Sequence, residues 1–237
     1  MALHGWLIID KPVGPGSTQM VSAVKRALRE GEYPKVKVGH GGTLDPLASG
    51  VLPIALGEAT KLCGRMLDSD KVYEFTIGFG VETSTLDAEG EVMATSDVRP
   101  DPAEVKAVLP RFTGAIEQMP PAYSALMVEG KRAYDRARAG EDVEMKTRAV
   151  TVYELSLRHS RESANPASIR IVEKEGQRDP RFRGDDEVHE ITLCARVSKG
   201  TYVRSLARDI ARALGTVGSV TMLRRSKAGP FTLSQAI

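Results

Sequence analysis

The sequence of 237 residues is poor in the residue types that build disulfide frameworks and metal sites. It contains only two cysteines, Cys63 and Cys194, which are too few for a disulfide framework and form no CxxC pair. Its four histidines occur without the HxxxH or HExxH spacing of metal ligands. We therefore expect a fold that depends on its hydrophobic core, with no metal site.

Long apolar segments are also missing. No run approaches the roughly 20 residues that span a bilayer, and the first residues, MALHGWLIIDKP, lack the basic start of a signal peptide. The hydrophobic share of 41% and the charged share of 27% are ordinary for a globular protein. We expect a cytoplasmic protein with a sizeable core and no membrane partner.

Two common enzyme motifs are absent as well. The chain has no GxxxxGK[ST] phosphate loop. It has no GxSxG either, although GHGG at residues 39–42 resembles the oxyanion-hole segment of some hydrolases. These absences argue against phosphate-loop enzymes and serine hydrolases, and they favour a lone carboxylate as the reactive group.

The most unusual feature present is the segment GHGGTLDPLASGVLP, residues 39–53. It places Asp45 directly before Pro46, and a proline favours extended backbone in the residue before it. Gly41 and Gly42 allow backbone angles that other residues resist. We expect this loop to hold the Asp45 carboxylate at a fixed angle above a cleft. An aspartate that only caps a turn is the alternative.

Basic residues are unevenly distributed, although the net charge is only +2. Between residues 199 and 227, seven basic residues accompany a single acid, Asp209. Such a cluster is typical of a surface that binds a polyanion, and a solvated helix face is the alternative. The seven are Lys199, Arg204, Arg208, Arg212, Arg224, Arg225 and Lys227.

Predicted strands and helices are mixed without a regular βαβ rhythm, which indicates an α+β fold with a largely antiparallel sheet. An amphipathic helix is predicted over residues 203–215. Residues 118–148 have the composition of a loop followed by a charged helix. Residues 159–189 are polar and predict an extended hairpin or an insertion.

Two further helices carry start signals. The spacing of apolar residues predicts a helix over 17–30, with Ser17 or Thr18 as N-cap. A second helix is predicted over 101–112, with Asp101 as N-cap and proline at its first helical position.

Six segments resemble one known family. GHGGTLDPLASGVLPIALGEATK resembles the signature of the TruB-type tRNA pseudouridine synthases, which isomerise uridine 55 in the T arm of tRNA. The other five resemble further motifs of this family in the right order, so the resemblance covers nearly the whole chain. They are LIIDKPVG, DSDKVYEFTIGFGVETSTLDAEG, IEQMPPAYSALMVEGKRAYDRARAGEDVE, SKGTYVRSLARDIARALG and VTMLRRSKAGPF.

The resemblance implies the pseudouridine synthase fold, with a mixed, mostly antiparallel central sheet flanked by helices and an RNA-binding cleft. It implies one catalytic domain over 1–237, in which 118–148 clamp the RNA and 159–189 form a polar insertion away from the cleft. The C-terminal RNA-binding domain that is common in the family is expected to be absent. The implied partner is the T stem-loop of tRNA, bound by a monomer that needs no metal or cofactor.

The resemblance also implies roles for individual residues. Asp45 matches the catalytic nucleophile, which attacks either C1′ of the ribose or C6 of the base. His40 matches a histidine that holds the flipped nucleotide out of the stem, and Tyr73 matches the tyrosine that stacks on the target base. Arg204 matches the arginine that pairs with the aspartate and keeps it ionised. Two further positions of the substrate pocket are Tyr202 and Leu223.

Contacts with the RNA backbone are implied at Lys11, Arg208, Arg224 and Arg225, and for Lys11 a structural role or a place near the pocket is the alternative. The chain departs from the family at residues 16–19, GSTQ, where a Thr-Ser or Ser-Ser pair with a nearby acid is usual. A protein that binds and folds tRNA without turnover is the alternative function. The intact catalytic set favours an enzyme, because binding alone would not require it.

Overall fold

A computed structural model describes residues 3–124, 126–128, 130–158, 169–171 and 188–237, with 169–171 described as backbone only. The chain divides into two compact units. The first comprises Met1–Glu74, Arg196–Lys199 and Met222–Ile237, and the second comprises Phe75–Ala195 and Gly200–Thr221.

The described residues form fourteen strands and five α-helices. The strands are β1 (Gly5–Lys11), β2 (Val38–His40), β3 (Ala48–Leu56), β4 (Lys71–Phe79), β5 (Val81–Thr83), β6 (Val92–Thr95), β7 (Gly114–Gln118), β8 (Met127–Val128), β9 (Lys131–Arg132), β10 (Arg148–Leu157), β11 (Ile169–Ile171), β12 (Val188–Val197), β13 (Gly218–Ala228) and β14 (Phe231–Thr232). The helices are α1 (Ser17–Glu30), α2 (Cys63–Asp68), α3 (Pro102–Val108), α4 (Ala133–Arg138) and α5 (Val203–Ala213). Shorter 3-10 turns cover Gly57–Leu62, Leu109–Phe112 and Leu233–Gln235.

Strand β3 is the centre of the first unit, where the strand order is β1-β3-β13. Its sequence, ASGVLPIAL, is almost entirely buried, as expected for a strand that is covered on both faces. β1 pairs with β3 in antiparallel fashion, and β13 pairs with it in parallel, so that Arg225 lies opposite Gly50. Gly50 has a φ of +102°, and a Cβ there would overlap the carbonyl oxygen of Arg225. Only glycine therefore fits at this point, where β3 lies against β13.

Apolar side chains close the first unit around β1 and β3. Ile8, Val51 and Met66 are buried together, and the ring of Trp6 is tilted against that of Phe231 with 5.6 Å between centroids. Helix α1 packs against β2, which pairs with β3. This packing fixes β2 and the loop that follows it on the same scaffold.

The second unit has the strand order β4-β12-β10-β7, with β4 from Phe75 onwards and β12 up to Ala195. β10 pairs with β7 in antiparallel fashion, with Arg148 opposite Gln118, and β11 pairs with β12 in the same way. Two antiparallel ribbons, β5 with β6 and β8 with β9, also belong to this unit. Helix α5 buries Val203, Leu206 and Ile210 on one face, as its apolar spacing predicts.

The predicted α+β class with a mixed sheet is confirmed, because β3 and β13 are parallel while β1 and β2 pair with β3, and β7 pairs with β10, in antiparallel fashion. Asp101 caps α3 as predicted, since its carboxylate accepts from the backbone N–H groups of Ala103 and Glu104 at 2.7 and 2.8 Å. The predicted helix over 203–215 and the charged helix in 118–148 correspond to α5 and α4. Apart from 169–171, residues 159–187 of the predicted insertion lie outside the described residues.

The predicted N-cap of α1 is wrong. The N-cap is Gly16, whose N–H donates to Oε1 of Gln19 at 2.7 Å. Ser17 is already helical, and its hydroxyl bonds to Leu44 in the loop before Asp45. None of the helices in the described part of the chain combines the length and apolar character needed to cross a membrane.

Candidate active site

The backbone around Asp45 is fastened from both sides. Ser17 is 4% exposed, and its Oγ accepts from the N–H of Leu44 at 2.7 Å and lies 3.0 Å from the carbonyl oxygen of the same residue. On the other side, the carbonyl oxygen of Pro46 accepts from Lys11 Nζ at 3.3 Å. Because both neighbours are held, the half-buried Asp45 stands on a backbone with little freedom.

Arg225 holds the part of the loop that precedes Asp45. Its side chain is buried, with 1% exposure. Nη2 donates to the carbonyl oxygen of Gly42 and Nη1 to that of Thr43, both at 3.2 Å, while Nε donates to that of Val51 at 2.8 Å. The rigid fork of five N–H donors in arginine suits such a set of diverging acceptors. The guanidinium thus ties the loop to β3.

Two of the residues that were predicted to contact RNA are buried in the structure. Lys11 and Arg225 are 0% and 1% exposed. Lys11 Nζ also donates to the carbonyl oxygens of Pro12 and Pro15, each at 2.8 Å. The structure buries both cations against main-chain carbonyls, so they hold the loop and present little surface to a phosphate. Arg224 is partly exposed, with a 2.7 Å ion pair to Asp10.

His40 ends β2 and opens the same loop. Burial, and next the Arg225 cation, lower the pKa of its imidazole, so His40 is neutral at neutral pH. Its Nδ1 is buried without a hydrogen-bond partner among the described residues. A buried polar atom without a partner is uncommon in folded proteins, and it leaves this imidazole available to a bound group.

Tyr73 lies close to the guanidinium of Arg225. Its Oη is 3.5 Å from Arg225 Nη1, and its ring is partly exposed. Leu223, on β13, is 8% exposed and lies opposite Ala48 at the start of β3. The first unit therefore holds four of the predicted pocket residues on connected elements: Asp45, His40, Tyr73 and Leu223.

Arg204 lies in the second unit, at the start of α5. Its Nη1 is 3.2 Å from Oδ2 of Asp87 and 2.8 Å from the carbonyl oxygen of Thr85, and its Nη2 donates to the carbonyl oxygen of Tyr123 at 3.0 Å. The Arg204 and Asp87 side chains are only 8% and 4% exposed. The predicted pairing of Arg204 with Asp45 joins residues of the two units and stays a prediction.

Asp87 is a residue that the sequence analysis did not single out. Its Oδ1 also accepts from the N–H of Glu89 at 3.1 Å and from the hydroxyl of Thr85 at 2.5 Å. The available signal was an aspartate inside a matched motif, in TSTLDAEG, with three hydroxyl residues before it. The spacing alone did not separate it from an ordinary turn aspartate.

Gln118 is a second residue missed by the sequence analysis. This side chain is 1% exposed; its Oε1 accepts from the N–H of Tyr202 at 2.7 Å, and its Nε2 donates to the carbonyl oxygen of Tyr202 at 3.1 Å. The next carbonyl, that of Met119, accepts from Ser205 Oγ at 2.7 Å and from Arg208 Nη2 at 3.2 Å. The end of β7 is thereby locked to the first turn of α5.

The basic segment over 199–227 has acids close to most of its cations. These acids come from elsewhere in the fold or from the same helix. Arg208 is also largely buried, with 12% side-chain exposure, so it is poorly placed for a phosphate. The ion pairs are Lys199 with Asp68, Arg204 with Asp87, Arg208 with Asp209, Arg212 with Glu82 and Arg224 with Asp10.

The first unit thus presents one carboxylate on a fixed backbone, a neutral imidazole, a phenol and a buried guanidinium. A fixed carboxylate can act as a nucleophile or as a base. The neutral imidazole can donate or accept a hydrogen bond. Within the described residues, no three His, Cys, Asp or Glu side chains are grouped as metal ligands.

Solved structures with the same fold define the class first. The chain matches a Cbf5-Nop10-Gar1 complex with a TM-score of 0.62 and 29% identity, over 96% of this chain and 50% of that one. It matches an H/ACA RNP bound to a substrate RNA containing 2′-deoxyuridine with a TM-score of 0.61 and 25% identity, over 96% and 48%. The chain thus spans about half the length of these structures, and its fold is that of the pseudouridine synthases.

The sequence comparisons give the family. Residues 25–178 match the TruB family pseudouridylate synthase (N terminal domain), and residues 204–237 match the tRNA pseudouridylate synthase B C-terminal domain. The chain is 61% identical to tRNA pseudouridine synthase B of Novosphingobium aromaticivorans, over 99% of this chain and 70% of the relative. It is 56% identical to the enzyme of the same name from Zymomonas mobilis, over 100% and 69%. The chain belongs to the TruB family of pseudouridylate synthases.

Proposed function

We propose that this chain isomerises uridine 55 in the T arm of tRNA, with Asp45 as the catalytic residue. Conversion of uridine to pseudouridine in tRNA is the activity of the family to which the chain belongs. The position in tRNA, the flipping of the base and the residue roles are what the proposal adds.

The observation that carries the proposal is the fixed backbone at Asp45. Ser17 holds the residue before Asp45, and Lys11 holds the residue after it. Arg225 holds the loop at Thr43. A nucleophile or base gains rate when its position is set before the substrate arrives. A turn aspartate in a structural role would not require three separate buried groups around its main chain.

The reaction conserves all atoms of the substrate. The N1–C1′ bond of uridine breaks, the base turns, and a C5–C1′ bond forms; C5 loses its proton and N1 gains one. Asp45 assists by attack at C1′ or at C6. Tyr73 stacks on the base that has left the helix, Arg204 pairs with the carboxylate and orients it, and the neutral His40 faces the displaced nucleotide.

The remaining expectations belong to the same proposal. Residues 118–148 clamp the T stem-loop, and their first residues, fastened to α5 through Gln118 and Met119, form the root of that clamp. Tyr202 and Leu223 line the nucleotide pocket. The enzyme acts in the cytoplasm as a monomer and needs no metal or cofactor.

Single-turnover kinetics test the proposal. Unmodified tRNA that carries tritium at C5 of its uridines is mixed with excess wild-type chain, and release of tritium to water is followed. Asp45→Asn keeps the size of the side chain and is expected to release none while still binding tRNA. Asp97→Asn, at an exposed aspartate of the second unit, is the matched control and should behave as wild type.

Two other results would contradict the proposal. Release by Asp45→Asn at a rate near wild type would remove Asp45 from the chemistry. Tight tRNA binding by the wild-type chain with no release of tritium would favour a tRNA-binding protein that acts without turnover.

A further inference from the structure

A group of basic side chains in the first unit has no acidic partner among the described residues. Lys25, Arg26 and Arg29 are exposed on α1, and Lys35 and Lys37 are exposed in the connection from α1 to β2. None of the five has an ion pair or side-chain hydrogen bond to another described residue. We call these five side chains, together with Tyr33, the basic α1 surface.

The helix directs its cations outward. Val21 and Val24 are buried against the fold, whereas Lys25, Arg26 and Arg29 are exposed to solvent. Lys25 and Arg29, four residues apart, are neighbours on the helix surface. Between residues 25 and 37 the chain has five basic residues and two acids, Glu30 and Glu32. The surplus is therefore positive and exposed to solvent.

An aromatic ring is held among these cations. Tyr33 is 53% exposed, and its N–H donates to the carbonyl oxygen of Leu28 at 2.9 Å. A Cβ on Gly31 would lie 3.0 Å from Cε2 of Tyr33, so the ring rests on the backbone at the end of α1. Glu32 has a φ of +55°, which is uncommon for a residue other than glycine and makes the sharp turn that places Tyr33 beside the end of α1.

The basic α1 surface is tied to the candidate active site through the chain. The carbonyl oxygen of Lys37 accepts from the N–H of Gly57 at 2.8 Å, directly after β3. Three residues beyond Lys37, β2 ends at His40. A polyanion bound along this surface would be held on the same scaffold as the Asp45 loop.

We propose that the basic α1 surface binds the phosphate backbone of tRNA, with Tyr33 packing on a ribose or a base. Exposed cations without acidic partners release counterions from RNA phosphates when they bind, and this release drives association. An exposed aromatic among them adds stacking that tolerates any base. This inference rests on the proposed function, since it takes tRNA as the substrate.

Salt dependence of binding tests it. The variant Lys25→Gln/Arg26→Gln/Arg29→Gln/Lys35→Gln/Lys37→Gln removes the five charges, and its Kd for unmodified tRNA is measured at several salt concentrations. We expect weaker binding by about tenfold to a hundredfold. The slope of log Kd against log salt should fall by about 0.7 to 0.9 for each phosphate that the variant no longer binds. The single-turnover rate at saturating enzyme should not change.

Matched controls separate this effect from general charge. Lys106→Gln/Arg111→Gln removes two exposed cations from the second unit and should leave both affinity and slope unchanged. Tyr33→Ala should weaken binding severalfold, whereas Tyr33→Phe, which keeps the ring, should not. Circular dichroism and thermal melting check that each variant is folded.

Several outcomes would overturn the inference without touching the proposed function. Wild-type affinity and slope in the folded five-residue variant would do so, because the wild-type chain would still form pseudouridine. An equal loss of affinity in the Lys106→Gln/Arg111→Gln control would do so as well. If the five-residue variant lost binding to vesicles with anionic headgroups but kept its tRNA affinity, the surface would be a membrane site instead.

Discussion

Two basic regions of this protein differ in what surrounds their charges. Residues 199–227 contain seven basic residues and one acid, and residues 25–37 contain five basic residues and two acids. The first region is the richer in sequence, yet five of its cations have acidic partners and a sixth, Arg225, is buried. In the second region, none of the five cations has an acidic partner among the described residues.

The difference arises from contacts between distant parts of the chain. Arg224 pairs with Asp10, 214 residues away, and Arg212 pairs with Glu82, 130 residues away. A local charge count includes neither acid. Charge along a segment therefore measures attraction for a polyanion only after the fold has brought the acids to their places.

The largest expected effect comes from the buried cation. Arg225→Met leaves three main-chain carbonyl oxygens without this donor, and each such buried acceptor costs about 1–3 kcal/mol, so the free energy of unfolding should fall by about 3 kcal/mol or more. Urea denaturation measures it. Arg225→Lys, which keeps the charge but not the fork, should lose nearly as much; full stability in that variant would contradict the role assigned to the fork.

Arg225→Met should also change the pKa of His40. Burial, and next the Arg225 cation, lower the pKa of His40, so Arg225→Met should raise it, although burial keeps it below the ordinary value. In the wild type the unfolded state binds the His40 proton more tightly, so stability is lost as the pH falls from the ordinary value through the folded pKa. This loss of stability should be smaller in Arg225→Met. NMR titration of the imidazole measures the pKa of His40 in both proteins.

An effect of comparable size is expected at the buried ion pair of the second unit. Asp87→Asn removes the charge opposite Arg204, and breaking a buried pair from one side should cost about 3 kcal/mol. The double variant Arg204→Met/Asp87→Leu should recover part of this loss, because no charge then remains buried. Losses that simply add in a double-mutant cycle would show that the pair is not coupled.

The smallest effect is expected at the exposed pair. Arg212 is 56% exposed and pairs with Glu82 at 2.7 Å, and exposed ion pairs contribute less than about 1 kcal/mol. Arg212→Gln should therefore change the free energy of unfolding little, and it should lower the salt slope of tRNA binding less than Arg29→Gln. An equal slope change in the two variants would erase the distinction between the two basic regions.

Local patterns predicted the parts of the fold that depend on neighbours in sequence. The cap at Asp101 and the apolar face of α5 were both correct, because a capping carboxylate and a helical period act over three or four residues. The N-cap of α1 was wrong for the opposite reason. Ser17 has the chemistry of a cap, but its hydroxyl bonds to Leu44, 27 residues away.

The candidate site shows the same division. The motif around Asp45 pointed to a shaped loop, and the loop is indeed held on both sides. Lys11 and Arg225 were expected to contact RNA and are instead buried under that loop. Gln118 and Asp87 were missed, since a buried amide and a buried carboxylate are recognised by their distant partners and not by their neighbours in sequence.

The sequence by itself determined the family and the α+β class, and it singled out Asp45 as the aspartate of the shaped loop. Motif order and short-range periodicity depend only on the order of residues along the chain. Only the tertiary structure decided which cations stay exposed and which lie in the interior. The physical reason is that an ion pair or a buried guanidinium depends on distances of about 3–4 Å in space. Such distances join residues that are as far apart in the chain as Asp10 and Arg224.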